Sequence, residues 1–235
     1  SQFALAEVLF TVEANMPRAL FHLNRVEELT NYTTLVDAFA SGNVQWHYLA
    51  LSQLSYVHQL MGDQLQSLQY LEKINEIYGQ EVESLRGWPL IKLKEFDLAR
   101  ISANLVLQNS EDERERSRAW NTLCAVELAS LQPIESMTYC NRAIDEEEGA
   151  ALLNDYDTVY LSNASEVSLS LLEMEQAEDY LNRATRYLNP DSVADPWIYK
   201  LYITMNQGRF DEARTALDRM LVWRESQNPI VAVMN

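Results

Sequence analysis

The chain is poor in the residues that interrupt helices: its 235 positions include only six glycines and six prolines. With Leu, Ala, Glu and Gln abundant in their place, helix is favoured over strand throughout. No run of eighteen apolar residues occurs, so direct membrane insertion is not expected. Cations are scarce as well, eighteen Lys and Arg against thirty-five Asp and Glu. The resulting net charge of -17 repels phosphate backbones and anionic membrane surfaces, so nucleic acid is not an expected partner. Two cysteines, Cys124 and Cys140, are too few for a disulfide framework. They fall on the two helices of one hairpin, roughly equidistant from its turn. The expected state is a reduced pair of small core residues, with a disulfide clip in an oxidising compartment as the alternative. No secretory signal is present and a cytoplasmic location is the expectation. The chain opens on Ser1 and not on Met, so a processed or excised form is expected, with a removed signal left open.

Catalytic constellations are also missing. The three histidines, His22, His47 and His58, show no pairing at the spacing of three or four that a helical metal site needs. His47 and His58 therefore read as surface or partly buried helix residues. No two glycines lie closer than eight residues, which leaves no phosphate-cradling loop. Asp155 and Asp157 read as solvated charges of an inter-unit segment, and Glu111, Asp112 and Glu113 as a helix start favoured by the helix dipole. No catalytic, cofactor-binding or metal-binding residue is expected, and the chain is not expected to be an enzyme.

What is present is a recurrence. Six times a small residue is followed four places on by an aliphatic or thiol residue and three later by another apolar one: Ala19-Leu23-Val26, Ser67-Leu71-Ile74, Ala99-Ala103-Val106, Ser136-Cys140-Ala143, Ala177-Leu181-Ala184 and Ala213-Leu217-Met220. Steps of four and three lie on one helical face, and the small anchor admits a close neighbour. Sixteen residues before the anchors stand Phe3, Leu51, Glu83, Trp120, Leu161 and Trp197, five of them large and apolar. Each frame thus reads as the second helix of a hairpin of about 34 residues. Turns are expected at Asn15-Met16-Pro17, Met61-Gly62-Asp63, Leu131-Gln132-Pro133 and Gln207 to Asp211, and unit ends at Tyr78-Gly79, Asn109-Ser110, Asn189-Pro190 and Asn228-Pro229.

These hairpins resemble tetratricopeptide repeats. The unit from Ala194 to Gln227 carries Trp197, Gly208, Phe210 to Ala213, Leu217, Met220 and Leu221 in matching places. That from Ser117 to Asp145 carries Trp120, Leu123, Cys140, Ala143 and Ile144, and that from Thr158 to Pro190 carries Ala164, Ala177, Leu181, Ala184 and Pro190. The match is best over residues 117-227 and looser before. The resemblance implies an all-α fold, a right-handed superhelix or α-solenoid of antiparallel hairpins. About six units are expected, near 1-33, 48-81, 82-116, 117-150, 158-191 and 194-227, with a short insertion near 34-47. The third unit departs from the pattern: Glu83 and Arg86 replace apolar residues, and Gly87-Trp88-Pro89 should break or kink its first helix. Anchor spacings of 48, 32, 37, 41 and 36 residues leave room for extra helical turns around Thr34 to Phe39 and for an acidic loop, Asp145 to Glu148.

The resemblance also implies a groove lined by first helices. Counted from the anchors, its residues are Ser52, Gln53, Tyr56 and Gln59 in the first half. In the second half they are Arg118, Asn121 and Thr122, then Ser162, Asn163 and Glu166, then Ile198, Tyr199, Tyr202 and Asn206. Family members that grip a C-terminal carboxylate need several cations here. Arg118 stands alone, so a carboxylate clamp is not expected, and a protein or peptide segment held by backbone hydrogen bonds and aromatic contact is. Tyr56, Tyr199 and Tyr202 have packing between repeats as their alternative role. The expected function is a non-catalytic interaction scaffold, the alternative a regulatory or sensor domain of a larger protein; a homodimer through the terminal repeats is allowed. Pro229 to Met234 reads as a short cap folding onto Leu217 and Leu221, or as the start of a helix cut from a longer protein.

Overall fold

A computed structural model of the chain describes residues 2-11, 15-30, 37, 44-79, 82-149, 157-188, 192 and 194-227. All regular structure among them is helix. The chain divides into two compact units, Ser1–Glu95 and Phe96–Asn235. The division falls between the helices of the third expected hairpin. Unit 1 holds α1 (Gln2–Thr11), α2 (Met16–Leu29), α3 (Val44–Leu60), α4 (Gln64–Tyr78) and α5 (Glu83–Lys92). Unit 2 holds α6 (Phe96–Asn109), α7 (Glu113–Ala129), α8 (Pro133–Gly149), α9 (Asp157–Ser170), α10 (Met174–Tyr187), α11 (Pro196–Asn206) and α12 (Phe210–Ser226). Within each unit every helix packs on the next, and in unit 2 the first helices α7, α9 and α11 also touch in series. No helix among the described residues is long and apolar enough to cross a membrane.

The small anchors explain the close pairing of helices within each unit. Ala19, Ser67, Ala99, Ser136, Ala177 and Ala213 are all buried. In three hairpins the anchor meets the residue twelve places earlier on the first helix: Ser55 Oγ lies 3.0 Å from Ser67 Oγ, Ser136 Oγ donates to the Cys124 carbonyl at 2.7 Å, and Ser165 Oγ donates to the Ala177 carbonyl at 3.0 Å. A larger side chain at either place would force the helices apart. The frames hold as expected except at Leu217, which is exposed while Ala216 and Met220 turn inward. Of the bulky residues sixteen places ahead, Phe3, Leu51, Leu161 and Trp197 are buried and Trp120 is half-buried.

One turn geometry recurs. Five residues before an anchor the chain is left-handed at Gly62 (φ 82°), Lys94 (φ 62°), Leu131 (φ 61°), Leu172 (φ 62°) and Gly208 (φ 72°). Each time the next amide bonds back five residues: Asp63 to His58, Glu95 to Leu90, Gln132 to Glu127, Glu173 to Ser168 and Arg209 to Thr204, all at 2.8 to 2.9 Å. This pattern satisfies the last carbonyls of each first helix. Three turns were legible from composition; those at Leu93–Glu95 and Leu171–Glu173 contain no Gly, Pro or Asn and were not.

Several expectations need correction. Of the break or kink expected at Gly87-Trp88-Pro89, the break does not occur, and helix α5 runs through Pro89 to Lys92. Proline removes only the amide that would reach the Leu85 carbonyl, and the burial of Gly87, Pro89 and Leu90 holds the helix together. Arg86 there pairs with Glu83 at 3.1 Å, so the two polar departures satisfy each other. Asp145 to Glu148 is not a loop but part of α8, where Glu146 accepts from Trp120 Nε1 at 3.1 Å and pairs with Arg116. His47 is neither surface nor partly buried: it is enclosed in α3, with Nδ1 2.5 Å from the Tyr78 hydroxyl. Cys124 and Cys140 form a disulfide with Cα atoms 5.0 Å apart, the alternative and not the reduced pair, because antiparallel packing brings these two positions face to face. Helix α3 begins at Val44, inside the stretch assigned to an insertion. Thr34 to Phe39 apart from Asp37, Asp155, Asn189-Pro190 and Pro229 to Met234 lie outside the described residues.

Candidate functional site

The residues assigned to the groove divide between the units. In unit 1, Ser52, Gln53, Tyr56 and Gln59 lie half-buried along α3. Ser52 donates to the Tyr48 carbonyl at 3.0 Å, a bond within the helix, and the Gln59 carbonyl accepts from Gln64 Nε2 at 3.1 Å. Gln53 keeps a buried Oε1 without a hydrogen-bond partner among the described residues.

Unit 2 brings its set together across helices. Asn163 of α9 donates through Nδ2 to Asn121 Oδ1 of α7 at 2.8 Å. One turn further along α9, Glu166 accepts from the Tyr199 hydroxyl of α11 at 2.9 Å. These two bonds tie three first helices into one polar face. Arg118 is half-buried on α7, and Thr122 donates to its carbonyl at 3.0 Å. Ser162, next to Asn163 in sequence, is buried.

The tyrosines separate into two roles. Tyr199 packs beside the buried Ala177, Leu181 and Ile203, as its alternative role required. Burial and the Glu166 carboxylate hold its phenol far above the ordinary value, favouring the neutral hydroxyl that donates to Glu166. Tyr202 instead is 58% exposed, flanked on α11 by exposed Ile198 and Asn206. Asn206 Nδ2 donates to the Tyr202 carbonyl at 2.8 Å. Such a face can offer amides, a carboxylate and an aromatic ring to a ligand, with little positive charge.

A concavity away from the assigned residues escaped the sequence reading. A cleft of about 370 Å³ is lined from α6, α7 and α8, with Trp120 among its lining residues. Trp120 stacks on Tyr139 at 5.8 Å, and the Arg142 guanidinium sits 4.7 Å over its ring. Trp120 was legible only as a hairpin-packing residue. Among the described residues no group of three or more His, Cys, Asp or Glu could hold a metal ion.

Serial helical hairpins with small anchors and recurrent left-handed turns define a helical repeat protein with a tetratricopeptide-repeat-like fold. Similar solved structures include PilF of Pseudomonas aeruginosa, with a TM-score of 0.60 and 14% identity over 97% of this chain and 93% of that one. The Cut9–Hcn1 hetero-tetramer of the APC/C gives a TM-score of 0.62 and 12% identity, covering 99% of this chain and 45% of that one. A tetratricopeptide repeat protein from Parabacteroides merdae gives 0.58 and 12% over 100% and 98%. At these identities the likeness is one of fold. No family model and no curated protein matches the sequence.

Proposed function

We propose that the chain is a non-catalytic protein-interaction scaffold that holds a protein or peptide segment on the first-helix face of unit 2. The observation that carries this reading is the pair of cross-helix bonds, Asn163 to Asn121 and Tyr199 to Glu166, which fix α7, α9 and α11 as one preorganised surface. Exposed Tyr202 and Ile198 supply apolar contact at its end, and Asn206 and Glu166 supply polar groups. With Arg118 the one cation among the assigned residues, the face suits an extended or helical segment better than a terminal carboxylate. That a fold neighbour was crystallised as a Cut9–Hcn1 complex supports a role in assembly.

Substitution of Tyr202 tests the reading, because its side chain is exposed and its loss leaves the core intact. Tyr202→Ala should keep the circular dichroism spectrum and melting temperature of the parent while losing partners that co-purify with it. Undiminished capture of the same partners would sink the proposal.

A further inference from the structure

The hairpin-turn edge of unit 2 is built against local preference. Leucine occupies the left-handed position of two successive turns, at Leu131 and Leu172. There an L side chain costs about 1–2 kcal/mol and glycine is free of the clash. Burial does not offset that cost, since Leu131 is 85% and Leu172 78% exposed. Ile134 at 70% and Phe210 at 69% stand close by in sequence, so three consecutive turns carry four large apolar side chains in water. Residues that break local rules without a gain to the fold point to a role outside it.

These turns stand in one row. Helix α8 packs on α9 and α10 on α11. Tyr180 of α10 donates to Asn141 of α8 at 2.7 Å, and Arg209, beside the last turn, reaches Glu178 of α10 at 2.8 Å. With about 10 Å between packed helices, three turns make a row on the order of 20 Å or more. The rim is acidic, with Glu135, Glu173, Glu175 and Asp211 exposed. Of the arginines near this edge, Arg209 is engaged by Glu178 and Glu212 and Arg100 by Glu127 and Asp97, while Arg214 stands exposed one turn after Phe210 and is outnumbered by the four carboxylates.

We propose that this row of Leu131, Ile134, Leu172 and Phe210 docks a cationic amphipathic helix of a protein partner. The apolar stripe of that helix seats on the four side chains and its lysines or arginines face the carboxylates. The rim selects this occupant by charge, since an acidic segment or an anionic membrane is repelled by the same groups. The surface is distinct from the first-helix face and stands without it.

The test uses the full chain and a synthetic amphipathic helix of about 18 residues, long enough to span the row at about 1.5 Å per residue, with leucine on one face and lysine on the other. Calorimetric titration should give saturable binding that weakens with salt and falls by about tenfold or more in the Leu131→Gly/Leu172→Gly double variant. The same double variant relieves two left-handed side chains, so its melting temperature should rise, and weaker binding cannot then be ascribed to unfolding. Tyr202→Ala should leave the affinity unchanged, which separates this result from that of the first-helix face. Absence of saturable binding, equal affinity of the double variant, equal affinity for a glutamate-for-lysine peptide, or sensitivity to Tyr202→Ala would each overturn the proposal. So would a dimer in sedimentation that disappears in the double variant, which would make a second copy of the chain the occupant.

Discussion

The turns at Met61–Asp63 and Leu171–Glu173 have one backbone and two chemistries. Both follow a first helix, both turn left-handed five residues before a buried small anchor, and both close with an amide bonded five residues back. In unit 1 that position is Gly62; in unit 2 it is Leu172. The comparison teaches that the pairing of helices dictates the turn, while the residue at its tip is open to other selection. Gly62 has no heavy atom within 4 Å of where a Cβ would stand, so its preference is purely conformational.

The strongest way to break this equivalence is to overfill the anchors that follow the two turns. Ser67→Leu and Ala177→Leu should each cost about 2–3 kcal/mol in urea denaturation, because both sites face a first helix at close range. A cost under about 1 kcal/mol at one site alone would mean that the two hairpins are not built alike. A smaller effect of opposite signs is expected at the tips within unit 1. Gly62→Ala should destabilise by about 1 kcal/mol and Lys94→Gly should stabilise by a similar amount, read from the same denaturation curves. Equal signs would remove conformational strain as the basis of the comparison.

The smallest effect concerns pH and centres on the hairpin that contains the glycine turn. Burial, and next the Lys73 ammonium, hold the His47 imidazole below its ordinary value, with Glu27 opposing. Neutral histidine is therefore favoured by the fold, and its contribution is complete above the unfolded pKa of about 6.5. As pH falls through 6.5 toward the lower folded value, the unfolded chain takes up the proton first and stability declines. Urea midpoints measured above and below this window should drop for the parent and drop less for His47→Gln. Parallel slopes would assign the pH dependence elsewhere.

The legibility of the fold followed the same division between pattern and tip. The six anchors and the bulky residues sixteen places ahead were readable because burial imposes small or apolar chemistry at fixed helical spacing. Turns with Gly62, Gly208 or Pro133 could be found by residue type. Those at Lys94 and Leu172 could not, and only the register of five before the anchor would have located them. The residues assigned in unit 2 lie on α7, α9 and α11, yet nothing in the sequence distinguished Tyr199, which packs and bonds to Glu166, from Tyr202, which is exposed. They are three residues apart on one helix, and which of them meets α9 depends on how far α11 is rotated against it.

By itself the sequence determined the helical class, the serial helical repeat and the small seams along which helices approach, since each rests on local periodicity and side-chain size. Only the tertiary structure decided that His47 is enclosed against Tyr78, that Cys124 meets Cys140, that Glu146 continues α8 beside Trp120, and that leucines crown two turns in water. Each of these depends on which residues distant in sequence come to face one another, and that is set by the packing of whole helices.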